Sequence, residues 1–133
     1  MSAWSLEYSF DVDVKNRIIY EKIDGIWKDS TAEDYHRDFK EEVQPLLKKP
    51  WAKLVDLRGW KTSYPAMVAV IGEHLKWCKA NNMVLSLNVL NNPSTFRQLN
   101  EMFRHAKTKD ISHTFRTYEE AEKFLKENWL KKK

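Results

Sequence analysis

Leu6, Tyr8, Phe10, Val12 and Val14 alternate with Ser5, Glu7, Ser9, Asp11 and Asp13. This is the period-two pattern of a strand with one dry face and one wet face. Lys15-Asn16-Arg17 reads as a turn and Ile18–Ile23 as a β-branched second strand, which predicts a hairpin. Asp24-Gly25 breaks that strand or carries it through a bulge, and Ile26-Trp27 follow. Ser30-Thr31-Ala32-Glu33 has the form of a capping box. Behind it Ala32, Tyr35, Phe39, Val43 and Leu46 fall on one helical stripe that Pro45 should kink or end. Trp51–Leu57 is a short apolar run, the mark of a buried strand, closed by Asp56 and Arg58-Gly59.

Ser63-Tyr64-Pro65 opens a second helix, striped by Met67, Val70, Ile71, His74, Leu75 and Cys78 and stopped by Asn81-Asn82. Met83–Leu90 is nearly continuous apolar chain, as expected of a strand covered on both faces. Asn91-Asn92-Pro93 caps a third helix bearing Phe96, Leu99, Met102, Phe103 and Ala106. Ile111–Arg116 supplies a last strand, and the capping box Thr117-Tyr118-Glu119-Glu120 starts a last helix with Ala121, Phe124, Leu125 and Trp129. The order is β-β-α-β-α-β-α-β-α. It predicts an α/β domain with a mainly parallel sheet, an antiparallel first strand and helices packed on the sheet.

Composition bounds the rest. The chain has 133 residues and a single Cys, a length that suits one domain and a cysteine count that excludes a disulfide framework. No linker or repeat divides it, so 1–133 reads as one domain ending in a basic tail, 131–133. The N-terminus lacks the basic and apolar regions of a secretory signal, and no stretch is long enough to span a bilayer. The expectation is a cytoplasmic protein without a membrane span. The net charge of +4 invites a nucleic-acid partner, but Lys131, Lys132 and Lys133 supply most of it and leave the rest of the chain at +1. Arg97, Arg104, Lys107, Lys109 and Arg116 form only a mild cluster, and most Phe and Tyr side chains sit on expected core faces. Nucleic acid is therefore not an expected partner.

The chemistry-bearing residues gather where an open parallel sheet places its binding edge, at the carboxyl ends of the strands. Asp56, Arg58, Trp60, Lys61, Thr62 and Ser63 leave one strand, and Asn91 and Asn92 leave the next. They offer a carboxylate, two cations, an aromatic ring and hydroxyl and amide groups beside two helix N-termini. The bland account makes Ser63 and Asn92 simple caps and Trp60 a lid on the core. His74 and Cys78 stand four apart on one helical face, as two metal ligands could, but no third ligand shows itself. A buried histidine and an inert thiol are the plainer account, with a pocket beside His74 as the alternative. His36, His105 and His113 have no spacing that pairs them with a carboxylate. No phosphate loop, nucleophile elbow or metalloprotease helix occurs, so no catalytic residue, cofactor or metal is singled out, and an enzyme with a dispersed site stays open as the last of three readings.

The element order, the strand ending Leu54-Val55-Asp56-Leu57 and the closing Glu120-Ala121-Glu122-Lys123-Phe124-Leu125 together resemble the SpoIIAA-like fold of the STAS (anti-sigma-factor antagonist) domains, and small bacterial STAS-like proteins in particular. The resemblance covers almost the whole chain. It implies a non-enzymatic regulatory domain that binds a protein through 56–63 and the start of the following helix. Antagonists of that family carry a phosphorylatable serine where this chain has Ala66; Thr62 and Ser63 are nearby hydroxyls, but the family's Gly is absent and Pro65 intrudes. On this reading Trp60 is the hydrophobic anchor, Arg58 and Lys61 steer a regulatory protein, and Asn91-Asn92 complete the surface. The other reading is a carrier of a small apolar or weakly acidic, anionic ligand held between helices and sheet near His74. Trp27, Trp51 and Trp60 fall on no clear buried stripe; they suit an exposed patch, homodimerisation included, or the lining of a pocket.

Overall fold

The computed structural model describes residues 7–61 and 63–130. Five strands form one sheet: β1 (Tyr8–Asp13), β2 (Ile18–Gly25), β3 (Trp51–Trp60), β4 (Met83–Val89) and β5 (Ser112–Phe115). Their spatial order is their chain order. β1 runs antiparallel to β2, and all later neighbours are parallel. The connections carry α1 (Asp29–Glu42), α2 (Ala66–Ala80) and α3 (Pro93–Ala106), and α4 (Tyr118–Leu125) follows the last strand. The expected α/β order is the observed one.

Successive parallel strands stepping one way across a sheet put right-handed crossovers on one face. The main core accordingly joins residues of α1, α2 and α3 to Ile19, Ile23, Trp51, Val55, Leu57 and Met83 of the sheet. α4 packs Ala121 and Leu125 on the opposite face against Ile18, Ala52, Leu54, Leu87 and Val89. Apolar residues on both faces explain why β3 and β4 read as nearly unbroken runs.

Punctuation follows local chemistry. Arg17 at φ 60° turns the hairpin, and its guanidinium donates to the carbonyls of Pro50, Leu46 and Lys49. Asn82, at φ 81°, ends the run after α2. The Asn92 side chain accepts from Ser94 N at 2.8 Å to cap α3, and Thr117 with Glu120 forms the expected capping box of α4. The box expected at Ser30–Glu33 does not form: α1 begins at Asp29, and its N-cap Lys28 makes no side-chain capping bond. Trp27 is the reason. Its amide donates to Ser63 Oγ at 2.8 Å and its indole N–H to the Asp24 carbonyl at 2.9 Å, so the chain is already pinned where the helix must start.

α2 and α3 pack closely at Gly72, where an added Cβ would lie 2.4 Å from His105 Cδ2. Overpacking of this kind costs about 1–3 kcal/mol, against about 1 kcal/mol gained by replacing a helical glycine with alanine. Gly72→Ala is expected to lower stability by about 1 kcal/mol net, read as a lower midpoint in urea unfolding.

Candidate functional site

β3 does not end where its apolar run ends. It continues to Trp60, and the segment expected to be a loop from Asp56 is strand through Trp60. Lys22 pairs with Asp56 while Asp24 pairs with Gly59, so β3 carries one extra residue there. Such a bulge reverses the alternation beyond it. Asp56 and Arg58 therefore share the α4 face with Ala52 and Leu54, whereas Trp60 turns into the main core at 4% exposure. Asp56 grips Arg58 through two hydrogen bonds of 2.9 Å, and the guanidinium carbon stands 5.7 Å from the Tyr118 ring centre. The Arg58 hydrogen bond holds the Asp56 carboxyl below its ordinary range.

The exposed aromatic anchor expected at Trp60 is thus corrected. Its indole N–H donates to Ser63 Oγ at 3.0 Å, inside the molecule. Ser63 is buried too: its amide donates to Gln98 Oε1 and its carbonyl accepts from Gln98 Nε2, each at 2.9 Å. Gln98 of α3, rather than Asn91 or Asn92, ties this segment to the next βα connection. Lys61 is exposed, and Thr62 and the 131–133 tail lie outside the described residues. Asn92 serves as the α3 cap, and exposed Asn91 borders a separate hollow of about 360 Å³ with Phe96 and Arg116. The expected edge is therefore several places, not one.

What the topology does bring together lies beneath α1, α2 and α3. Glu21 of β2 and Lys53 of β3 both point into the main core, and their side chains are 0% and 4% exposed. Lys53 Nζ stands 3.4 Å from Glu21 Oε2, an oxygen with no hydrogen-bond partner, while the Tyr35 hydroxyl donates to Glu21 Oε1. Burial pushes the Glu21 carboxyl up, against the pull of Lys53 and Tyr35. His74 is fully buried, its Nδ1 sharing a hydrogen bond of 2.8 Å with His36 Nδ1 and its Nε2 lying 3.6 Å from Cys78 Sγ. Burial, with help from the Lys53 charge, pulls His74 well below the usual histidine range, and burial pushes the Cys78 thiol up to about 12. A neutral imidazole and a protonated thiol are the result.

Beside this cluster is a cavity of about 40 Å³. Trp27 and Trp60 close it, Met67, Ile71 and Leu75 of α2 and Leu99, Met102 and Phe103 of α3 wall it, and Tyr35, Lys53, His74 and Asn88 bring polar groups to it. Apolar walls with a few convergent polar groups are the usual make-up of a small-molecule site. Among the described residues, no group of three or more His, Cys, Asp or Glu is placed to hold a metal ion, and no helix is long and apolar enough to cross a membrane. No family model and no curated protein matches the chain.

Two pairings escaped sequence reading because they join distant segments: His36 with His74, and His105 Nε2 with Glu73 Oε2 at 2.9 Å. Glu21 and Lys53 carried a legible signal. Each occupies an inward position of a strand, between Ile19 and Ile23 or between Trp51 and Val55, where a charge has no business unless it is paired.

Proposed function

We propose that this protein is a non-enzymatic binding domain for a small, largely apolar or weakly acidic ligand, held between the sheet and α1–α3 beside His74. The cavity carries the reading. Its size limits the occupant: a void of about 150 Å³ holds a benzene ring, and this one is about 40 Å³. The ligand has few heavy atoms, or enlarges its place at the expense of Met67 and Met102, whose flexible thioethers line the walls. Native mass spectrometry of freshly purified protein is expected to show a small adduct lost on denaturation. A clean mass, with no shift of the Trp27 and Trp60 indole resonances across a set of small apolar compounds, refutes the reading.

A regulatory protein partner, as the STAS resemblance implies, has support at one place. Phe96 is 43% exposed beside Asn91 and Arg116, and an aromatic ring with a neighbouring arginine suits an interface. Arg58 and Lys61 add exposed cations elsewhere at the edge. If that partner is captured, Phe96→Asp is expected to weaken it at least tenfold, measured by pull-down, and an unchanged yield dismisses this surface.

A further inference from the structure

Resting on the cavity reading, we infer that the ligand presents an uncharged carbonyl oxygen to Lys53 Nζ, and that its class is small neutral carbonyl compounds rather than carboxylates.

The polar groups around the cavity decide this by their commitments. The Trp27 indole N–H donates to the Asp24 carbonyl and the Trp60 indole N–H to Ser63 Oγ. The Tyr35 hydroxyl donates to Glu21, and both ring nitrogens of His74 face His36 and Cys78. Asn88 Nδ2 points at the Ser86 carbonyl and hydroxyl and at the His113 carbonyl, 3.2–3.4 Å away. Lys53 is different. Among the described residues its ammonium has Glu21 Oε2 at 3.4 Å and the Phe39 ring centre at 5.5 Å. An ammonium carries three donors, so a buried one beside a void has donors to offer whatever enters. The complementary atom is an acceptor.

Charge then chooses between acceptors. Glu21 already balances Lys53 in a place shut off from water. A carboxylate ligand adds a second negative charge and leaves the site with a net charge that burial penalises heavily. A ketone or amide oxygen accepts the same hydrogen bond and leaves the charge balance intact. The apolar walls take up the rest of such a molecule.

Acetone and acetate, near-isosteres that differ in charge, test the inference at pH 7.5, with xenon as a probe of the cavity itself. Acetone is expected to shift the Trp27 and Trp60 indole resonances in a saturable way, and acetate to leave them unmoved. Glu21→Gln/Lys53→Met removes the ammonium without stranding its partner. In it acetone affinity is expected to fall at least tenfold while xenon still enters, as read by ¹²⁹Xe chemical shift. Acetate binding as tightly as acetone, or acetone binding equally well to the double variant, overturns the inference. Xenon entry without acetone binding also overturns it but leaves the cavity as a binding site. Failure of all three probes overturns both readings.

Discussion

Lys53→Met is expected to destabilise the protein by about 3–5 kcal/mol at pH 7, the largest effect of any single substitution considered. Methionine keeps most of the side chain's volume and its packing, so the loss is electrostatic. It strands the Glu21 carboxylate, whose Oε2 is buried without a hydrogen-bond partner and has Lys53 as its only nearby cation among the described residues. Against a total stability of about 5–15 kcal/mol for a domain of this kind, such a loss leaves little reserve. The Tyr35 hydroxyl offers Glu21 one hydrogen bond, which does not replace a positive charge.

The companion variants separate this account from simple loss of packing. Glu21→Gln/Lys53→Met removes both charges and is expected to recover most of the loss, because replacing a buried pair by neutral groups of similar volume is often close to neutral. The deficit of Lys53→Met relative to the parent chain is also expected to shrink on mild acidification, since a proton on Glu21 removes the stranded charge. Urea midpoints of the parent chain and the two variants at pH 5.5 and 7.5 decide the matter. A double variant as unstable as the single one shows that the aliphatic stem of Lys53, not its charge, holds the core together.

The same residues show where sequence reading reached and where it stopped. Element order was legible because each strand and helix repeats its own period over enough residues: Tyr8, Phe10 and Val12 for β1, and Leu99, Met102, Phe103 and Ala106 for α3. The ends of β3 were not, because one extra residue between Asp56 and Gly59 turns Trp60 to the other side and no apolar count reveals a bulge. The aromatic residue expected to face a partner became the lid of a cavity for that reason alone. The carboxyl-edge argument treated these residues as one surface, whereas Asp56 and Arg58 lie on one side of the sheet and Trp60 and Ser63 on the other. His74 was legible as a buried histidine from its stripe, while its hydrogen bond to His36 depends on how α1 and α2 lie side by side. That is tertiary information which neither helix's own period contains.

That histidine pair leads to the second large effect: stability is expected to fall as pH drops below about 6.5. His74 and His36 are both pulled below the ordinary histidine value, His74 strongly, and in each case burial is the first cause. In the unfolded chain both titrate normally. Above pH 6.5 neither state binds the extra protons, and the full stability is present. Below it the unfolded chain takes up protons that the folded core refuses, so stability is lost on the way down to the lowered folded values. Each histidine contributes a slope of at most about 1.4 kcal/mol per pH unit. The charged and titratable groups facing the pair are Lys40 and Tyr35 of α1, Lys53 of β3 and Cys78 of α2; the two lysines resist an added positive charge, and the phenol and thiol, both pushed up by burial, stay protonated throughout. Glu21, raised by its burial, acts in the opposite sense, since the folded state holds its proton to higher pH than the unfolded chain does. His74→Phe is therefore expected to flatten the acid loss, measured as urea unfolding free energies between pH 5 and 7.5. An unaltered slope in His74→Phe means that His74 is not the group that sets the acid limit of this fold.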